Sequence, residues 1–371
     1  MVCVRHAGRL AGVRRACGIR GAGRQQGEIR IGQSAGVSGP VAGSVKEQIE
    51  GAQVYLRAVN ASGGVAGRRI ELVTLDDGFD AKRTPENVRK LIQDEKVFAL
   101  FMVRGTPQNE SILPIIATEK VPLVAPLTGA ITLHRPVNRY VFNVRAKYQD
   151  EVARAINHLA TSGMTRIAIV YANDGFGKDV YEGFSSALQT RGVQPAAAAS
   201  FARPMGDITQ QVATVNKADP QAVLVIGSGS EAARVIRDMH KAGSQAQFVT
   251  LSNNAADSFI KELGEDARGL IITQIVPGMN SSQMTLATEY RSLARQQASS
   301  RAMPAWKASC PPRCWWKGCA APGQTSPVND WSPRWRTCAT TTSAAFSSAT
   351  ARLATRARRL SRCRLSRRRA S

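Results

Sequence analysis

Short apolar runs rich in β-branched residues alternate with amphipathic stretches along residues 28–144. The first pattern is typical of buried strands, and the second has the period of helices. The strands predicted in this half of the chain are residues 28–34, 69–75, 99–103, 123–125 and 140–144. The predicted helices are one that begins at Ser44, residues 85–94 and residues 108–119. Strands alternating with helices predict an α/β lobe with a largely parallel sheet.

The same alternation restarts after residue 144. Its predicted strands are residues 166–171, 222–226, 248–250 and 270–275, and its predicted helices are one that begins at Gln149 and residues 177–191, 208–217 and 231–242. Two α/β lobes in one chain leave a cleft between them. Ligands of open α/β sheets lie at the carboxyl ends of the strands, so we expect a binding site there.

The first helix has strong local signals. Its apolar positions recur at alternating steps of four and three residues: Val45, Ile49, Ala52, Leu56 and Val59. This spacing predicts one buried helix face. Ser44 with Glu47 three residues later predicts a capping box at the helix start.

The net charge of +23 is concentrated at the two ends of the chain. Residues 1–27 carry six Arg and no acid, and residues 298–371 carry thirteen Arg, two Lys and one Asp. The remaining charge of residues 28–297 is +3, which gives no reason to expect nucleic-acid binding there. All seven Cys and all five Trp also lie in the two ends. The chain contains no run of 18 apolar residues, so no membrane-spanning helix is predicted.

Residues 59–101, VNASGGVAGRRIELVTLDDGFDAKRTPENVRKLIQDEKVFALF, closely resemble the leucine/isoleucine/valine-binding family of periplasmic solute-binding proteins. Further agreement comes from IGQSAGVSGP at 31–40, GTP at 105–107, VPLVAPLTGA at 121–130, YVFNVRA at 140–146, DGFG at 174–177 and ARGLIITQIVP at 267–277. The resemblance therefore covers residues 28–297 in order.

The resemblance implies a type I periplasmic-binding-protein fold, in which two Rossmann-like lobes surround a hinge and a cleft. It divides the chain into an N-terminal lobe at 28–144, a C-terminal lobe at 145–272 and a return to the first lobe at 273–297. It also implies a periplasmic monomer without cofactor, metal or catalytic residues. Such a protein captures a small solute, an amino acid or related organic acid, and delivers it to an ABC permease.

Two turns of the first lobe are candidate ligand contacts. Thr106 followed by Pro107 predicts a helix N-cap, where free N–H groups and the helix dipole favour a carboxylate. The turn formed by Leu127, Thr128 and Gly129 follows a strand and would face the same cleft. The resemblance implies that the two turns hold the ligand, and Gly105 belongs to the first of them.

Second-lobe contacts are nominated by the resemblance alone: Tyr148, Phe176, Ser228 and Asn253. Amino-acid binders of this family also use an acid from the second lobe for the ligand's ammonium group. The sequence has Ser252, Asn253 and Asn254 there and no acid. This departure argues against an α-amino acid as the solute.

Other functions have weaker sequence support. Residues 226–232 follow a strand and open a helix as a dinucleotide-binding turn does, but the acid that binds the ribose is missing. The four His are scattered, and Asp76 and Asp77 are neighbours on a strand that face opposite sides, so paired acid–base chemistry is not expected. A cytosolic ligand sensor on the same fold, bound to a regulator, is the alternative non-enzyme.

The two ends of the chain suggest shifted reading frames. Rebuilding the codons of residues 302–341 in another frame permits family-like helical sequence, and doing so for residues 1–24 permits an apolar signal segment with a small-residue cleavage site. We therefore interpret residues 1–27 as a frameshifted signal peptide and residues 298–371 as an aberrant, disordered tail that leaves the fold incomplete. The chain as written has no usable export signal.

Overall fold

The computed structural model describes residues 27–276 and 284–297. The predictions made for the two basic ends, including the frameshifts, lie outside these residues. Within the described ranges, no helix combines the length and the apolar character that crossing a membrane requires.

The first lobe is a parallel five-stranded sheet in the order β2-β1-β3-β4-β5. Its strands are β1 (Glu28–Ala35), β2 (Arg69–Asp76), β3 (Ala99–Phe101), β4 (Leu123–Val124) and β5 (Val141–Phe142). Its helices are α1 (Ala42–Ala61), α2 (Thr84–Gln93) and α3 (Thr106–Glu119).

The second lobe repeats this arrangement with a parallel sheet in the order β10-β9-β8-β6-β7. Its strands are β6 (Ile167–Ala172), β7 (Ala198–Phe201), β8 (Ala222–Ile226), β9 (Gln247–Thr250) and β10 (Ile271–Ile272). Its helices are α4 (Tyr148–Thr161), α5 (Gly175–Gln189), α6 (Thr209–Lys217), α7 (Ser230–Lys241) and α8 (Asp257–Leu263). The predicted α/β class and two-lobe architecture are confirmed.

Both faces of the second sheet are covered by helices. Val223 and Val225 of β8 join one apolar cluster with α6 and α7, whereas Leu224 and Ile226 join another with α4 and α5. Successive strand residues point to opposite faces, so a continuous apolar run fills both. This packing of helices on both faces holds the strands of the sheet in place. It thereby positions the residues that follow the carboxyl ends of the strands and border the cleft.

The last described helix, α9 (Thr285–Gln296), packs on α1 of the first lobe. Val54 of α1 is fully buried with Ala287, Tyr290 and Ala294 of α9. The chain therefore enters the second lobe after β5 and contacts the first lobe again after β10.

The predicted capping box of the first helix is wrong. The helix begins at Ala42, and the hydroxyl of Ser44 donates to the carbonyl of Val41. The Glu47 carboxylate instead accepts hydrogen bonds from two N–H groups of α8, 210 residues or more away in the sequence. The apolar face is confirmed, since Val45, Ala52, Leu56 and Val59 are buried and Ile49 is partly buried.

Candidate solute-binding cleft

Two turns of the first lobe meet at the carboxyl ends of β3 and β4. Arg104 and Leu127 form a parallel bridge that continues the sheet beyond these strands. The hydroxyl oxygens of Thr106 and Thr128 lie 2.6 Å apart, and both side chains are buried. Gly129 is buried next to them, so the predicted residues of the two turns form one polar surface.

The start of α3 differs by one position from the prediction. Gly105 is the N-cap, with φ of 99°, and Thr106 and Pro107 are the first helical residues. A side chain at Gly105 would place its Cβ 2.0 Å from Oε1 of Gln108 and 3.1 Å from the Phe79 ring, so the turn requires glycine. The first N–H groups of the helix point out of its start, where an anion is favoured.

The nominated residues of the second lobe are all buried. Tyr148 begins α4, and Phe176 lies in the first turn of α5. Their ring centroids are 4.8 Å apart in an edge-to-face arrangement. Ser228 follows β8, and Asn253 follows β9, where its Nδ2 donates to the carbonyl of Gly227 at 3.1 Å. The four residues therefore come from the ends of four elements that border the cleft.

Three arginines that were not predicted from the sequence contribute positive charge to this region. Arg203 is paired with Asp174 at 2.6 Å and with Glu231 at 2.9 Å, and its guanidinium lies 5.4 Å from the Phe79 ring. Arg145 is paired with Glu151 and lies over the Tyr148 ring. Arg104 differs, because its hydrogen bonds go to neutral oxygens.

Arg104 is the most buried of the three cations, with 4 % of its surface exposed. Burial lowers its pKa to about 10, assisted by the charges of Arg145 and Arg203 and opposed by Tyr148. It is therefore protonated at neutral pH. The sequence could have identified Arg104 as a cleft residue, since it stands directly before the Gly105–Thr106 turn at the end of a strand.

The two lobes are in contact across the cleft. The carbonyl of Pro40 accepts a hydrogen bond from Ser230 N at 3.1 Å, and Ile131 N donates to Asp179 Oδ1 at 3.2 Å. Glu47 caps the start of α8 through Ser258 N at 2.8 Å. These bonds join opposite lobes, so the structure represents a closed conformation.

Hydrogen bonds also engage the two sequence features that resemble a dinucleotide-binding turn and a pair of catalytic carboxylates. In the turn after β8, the N–H of Gly229 donates to Asn254 and that of Ser230 to Pro40, so neither is free to hold a dinucleotide phosphate. Asp77 is buried and accepts from Ser34 and Thr84, while its neighbour Asp76 accepts from Ser38. The two carboxylates face different groups and do not form a catalytic pair.

Two parallel α/β lobes that close over buried polar groups define a binding protein of the two-lobe, hinged class. Residues 28–310 match the sequence model described as Periplasmic binding protein. Because this match spans most of the chain, the protein belongs to the periplasmic binding protein family. The resemblance deduced from the sequence is thus confirmed.

Individual relatives agree with the family match. The chain is 24% identical to a Leu/Ile/Val/Thr-binding protein of Salmonella typhimurium over 251 residues, which are 67% of this chain and 68% of that protein. It is 23% identical to the Leu/Ile/Val-binding protein of Escherichia coli K12, with 67% of each chain covered. Proteins of this family bind solutes and are not enzymes, which excludes the dinucleotide-dependent enzyme.

Solved structures share the fold. A substrate-binding periplasmic protein from Ralstonia solanacearum has a TM-score of 0.75 at 27% identity, covering 84% of this chain and 89% of that chain. The branched-chain amino acid transporter substrate binding protein LivJ from Streptococcus pneumoniae, in complex with isoleucine, has a TM-score of 0.72 at 16% identity, covering 83% and 87%. The chain therefore shares the fold of these proteins and belongs to a family of solute-binding proteins that is periplasmic.

Proposed function

We propose that this protein captures a small carboxylate-bearing solute between its lobes and delivers it to the permease of an ABC transporter. The observation that carries the proposal is the buried Thr106–Thr128 hydroxyl pair beside the start of α3. Hydroxyl groups and helix N-terminal N–H groups donate to anions, and the helix dipole favours negative charge at this end.

The candidate contacts that complete this site are Gly105, Leu127 and Gly129 from the first lobe and Tyr148, Phe176, Ser228 and Asn253 from the second. The names of the relatives support a carboxylate, since leucine, isoleucine and valine each carry one. The periplasmic location of the family favours delivery to a permease over the alternative of a cytosolic sensor.

A thermal-shift screen of the full chain tests this proposal. The panel contains α-amino acids, aromatic acids, short aliphatic acids and neutral sugars. We expect at least one carboxylate to raise the melting temperature, because a ligand at 100 times its Kd stabilises the native state by about 2.7 kcal/mol. Stabilisation by a neutral sugar, with no shift from any carboxylate, would overturn the proposal.

A further inference from the structure

Arg104 is a buried cation that bonds to both lobes. Its Nη1 donates to Gln48 Oε1 of α1 at 2.7 Å, and its Nη2 donates across the cleft to the carbonyl oxygen of Asn253 at 3.3 Å. The next two residues of the chain are Gly105 and Thr106 of the candidate site. The guanidinium therefore lies where both lobes approach the predicted ligand.

Buried charges in proteins are normally paired with opposite charges, because an uncompensated buried ion is costly. Within residues 27–276 and 284–297, the hydrogen bonds of Arg104 go only to the neutral oxygens described above. The acids associated with the other two arginines are engaged. Glu151 also accepts from Ser252 N and Thr273 Oγ1, and Asp174 also accepts from Gly177 N.

We propose that Arg104 is the specificity residue of the cleft and that it selects an organic acid with no ammonium group next to its carboxylate. This inference rests on the proposed function. The carboxylate would supply the counter-ion that Arg104 lacks among the described residues. An α-ammonium group would stand beside the same carboxylate, and therefore beside the cationic guanidinium of Arg104.

Two buried neutral oxygens among the candidate site residues and their neighbours are suited to an organic acid without an ammonium group. Oε1 of Gln108 and Oδ1 of Asn253 are buried, and neither has a hydrogen-bond partner in the described part of the chain. The amide orientations are set by the other atom of each group, since Nε2 of Gln108 donates to Phe79 O and Nδ2 of Asn253 to Gly227 O. A neutral oxygen can accept from a ligand hydroxyl, but it supplies no negative charge for an ammonium.

Calorimetry with matched ligand pairs tests the selectivity of the full chain. The pairs are 4-methylpentanoate with leucine, 3-phenylpropanoate with phenylalanine, and succinate with aspartate, which differ in the α-ammonium group. In the pair that contains the tightest binder, we expect the acid without nitrogen to bind at least tenfold more tightly. Equal or tighter binding by the amino acid would overturn the inference and leave the proposed function standing. If none of the six binds, the inference fails, and the wider thermal-shift screen decides the proposed function separately.

The variant Arg104→Gln tests whether the charge of Arg104 is responsible. We expect the ratio of affinities for 3-phenylpropanoate and its neutral amide to fall about 10- to 100-fold, since hydrogen bonds to charged groups contribute on this scale. Arg166→Gln makes the same change at an exposed site paired with Asp219 and should leave the ratio unchanged. If Arg104 only holds the lobes together, acid and amide will lose affinity equally, and the inference fails. Arg104→Lys, which keeps the charge, should retain most of the ratio.

Discussion

The hydroxyl oxygens of Thr106 and Thr128 lie 2.6 Å apart although the residues belong to turns that follow different strands. Parallel strands end at the same edge of a sheet, so turns after neighbouring strands β3 and β4 are brought together by the fold. The first lobe thus presents two hydroxyl groups and a helix start at one point of the cleft.

The first prediction concerns these hydroxyls. Thr128→Val should weaken binding of a carboxylate ligand about tenfold or more, because one donor to a charged group is lost. Thr128→Ser keeps the hydroxyl and should bind nearly as the natural chain does. Calorimetry on both variants measures the effect. Unchanged affinity in a folded Thr128→Val variant would mean that the Thr128 hydroxyl does not donate to the ligand.

The second prediction concerns lobe closure at Gly229. A Cβ at this position would lie 2.0 Å from the carbonyl oxygen of Pro40 in the opposite lobe. Gly229→Ala should therefore prevent full closure and reduce ligand affinity at least tenfold, on the order of 1.4 kcal/mol. Small-angle X-ray scattering should show that the decrease in radius of gyration on ligand addition is lost.

Gly264→Ala is the matched control for that variant. Gly264 has φ of 62° and ψ of −124°, against 56° and −124° at Gly229, but a Cβ there would meet nothing within 4 Å. It shares the backbone strain of the change at Gly229 without the contact between lobes. Equal losses of affinity in the two variants would attribute the effect to strain within the second lobe and contradict the closure argument.

The third prediction is a pH dependence of stability caused by Asp77. Burial raises the pKa of this carboxyl above its ordinary value, although hydrogen bonds from Ser34, Phe79 and Thr84 oppose the shift. The folded state therefore binds a proton more tightly than the unfolded state, and this contribution to the unfolding free energy falls as pH rises from about 3.8 through the folded pKa.

Chemical denaturation of Asp77→Asn across pH 4 to 7 measures this contribution. The asparagine stays neutral, so the stability of the variant relative to the natural chain should increase as pH rises. Asp80→Asn, at an exposed position, is the control for removing one carboxylate. A difference between Asp77→Asn and the natural chain that is constant across the range would contradict the assignment.

Much of the fold could be predicted because its strands are apolar and β-branched. β7 was missed because Ala198–Phe201 is rich in alanine, which gives little strand signal, and α8 was missed because it spans seven residues. The local motif at Ser44 misled, since Glu47 has partners in the opposite lobe that no short sequence pattern reveals. Arg203 lies in the loop after the missed strand, so its place in the cleft was also missed.

The fourth prediction concerns the ends of the chain, which lie outside the described residues. If residues 298–371 come from a shifted frame, resequencing the gene should find a base inserted or lost near the codons for residues 297–302, relative to close relatives. The composition of this tail motivates the prediction, because thirteen Arg and one acid are not the composition of a segment that completes an apolar core. An uninterrupted frame shared with close relatives would contradict the frameshift.

The central claim is that the cleft holds a carboxylate between Arg104 and the two threonine hydroxyls. A crystal structure of the full chain with the tightest-binding acid from the screen tests it most directly. We predict ligand carboxylate oxygens about 3 Å from the guanidinium of Arg104 and from a hydroxyl of Thr106 or Thr128. A ligand whose carboxylate points away from Arg104 and both threonines, or that lies outside the cleft, would contradict the claim.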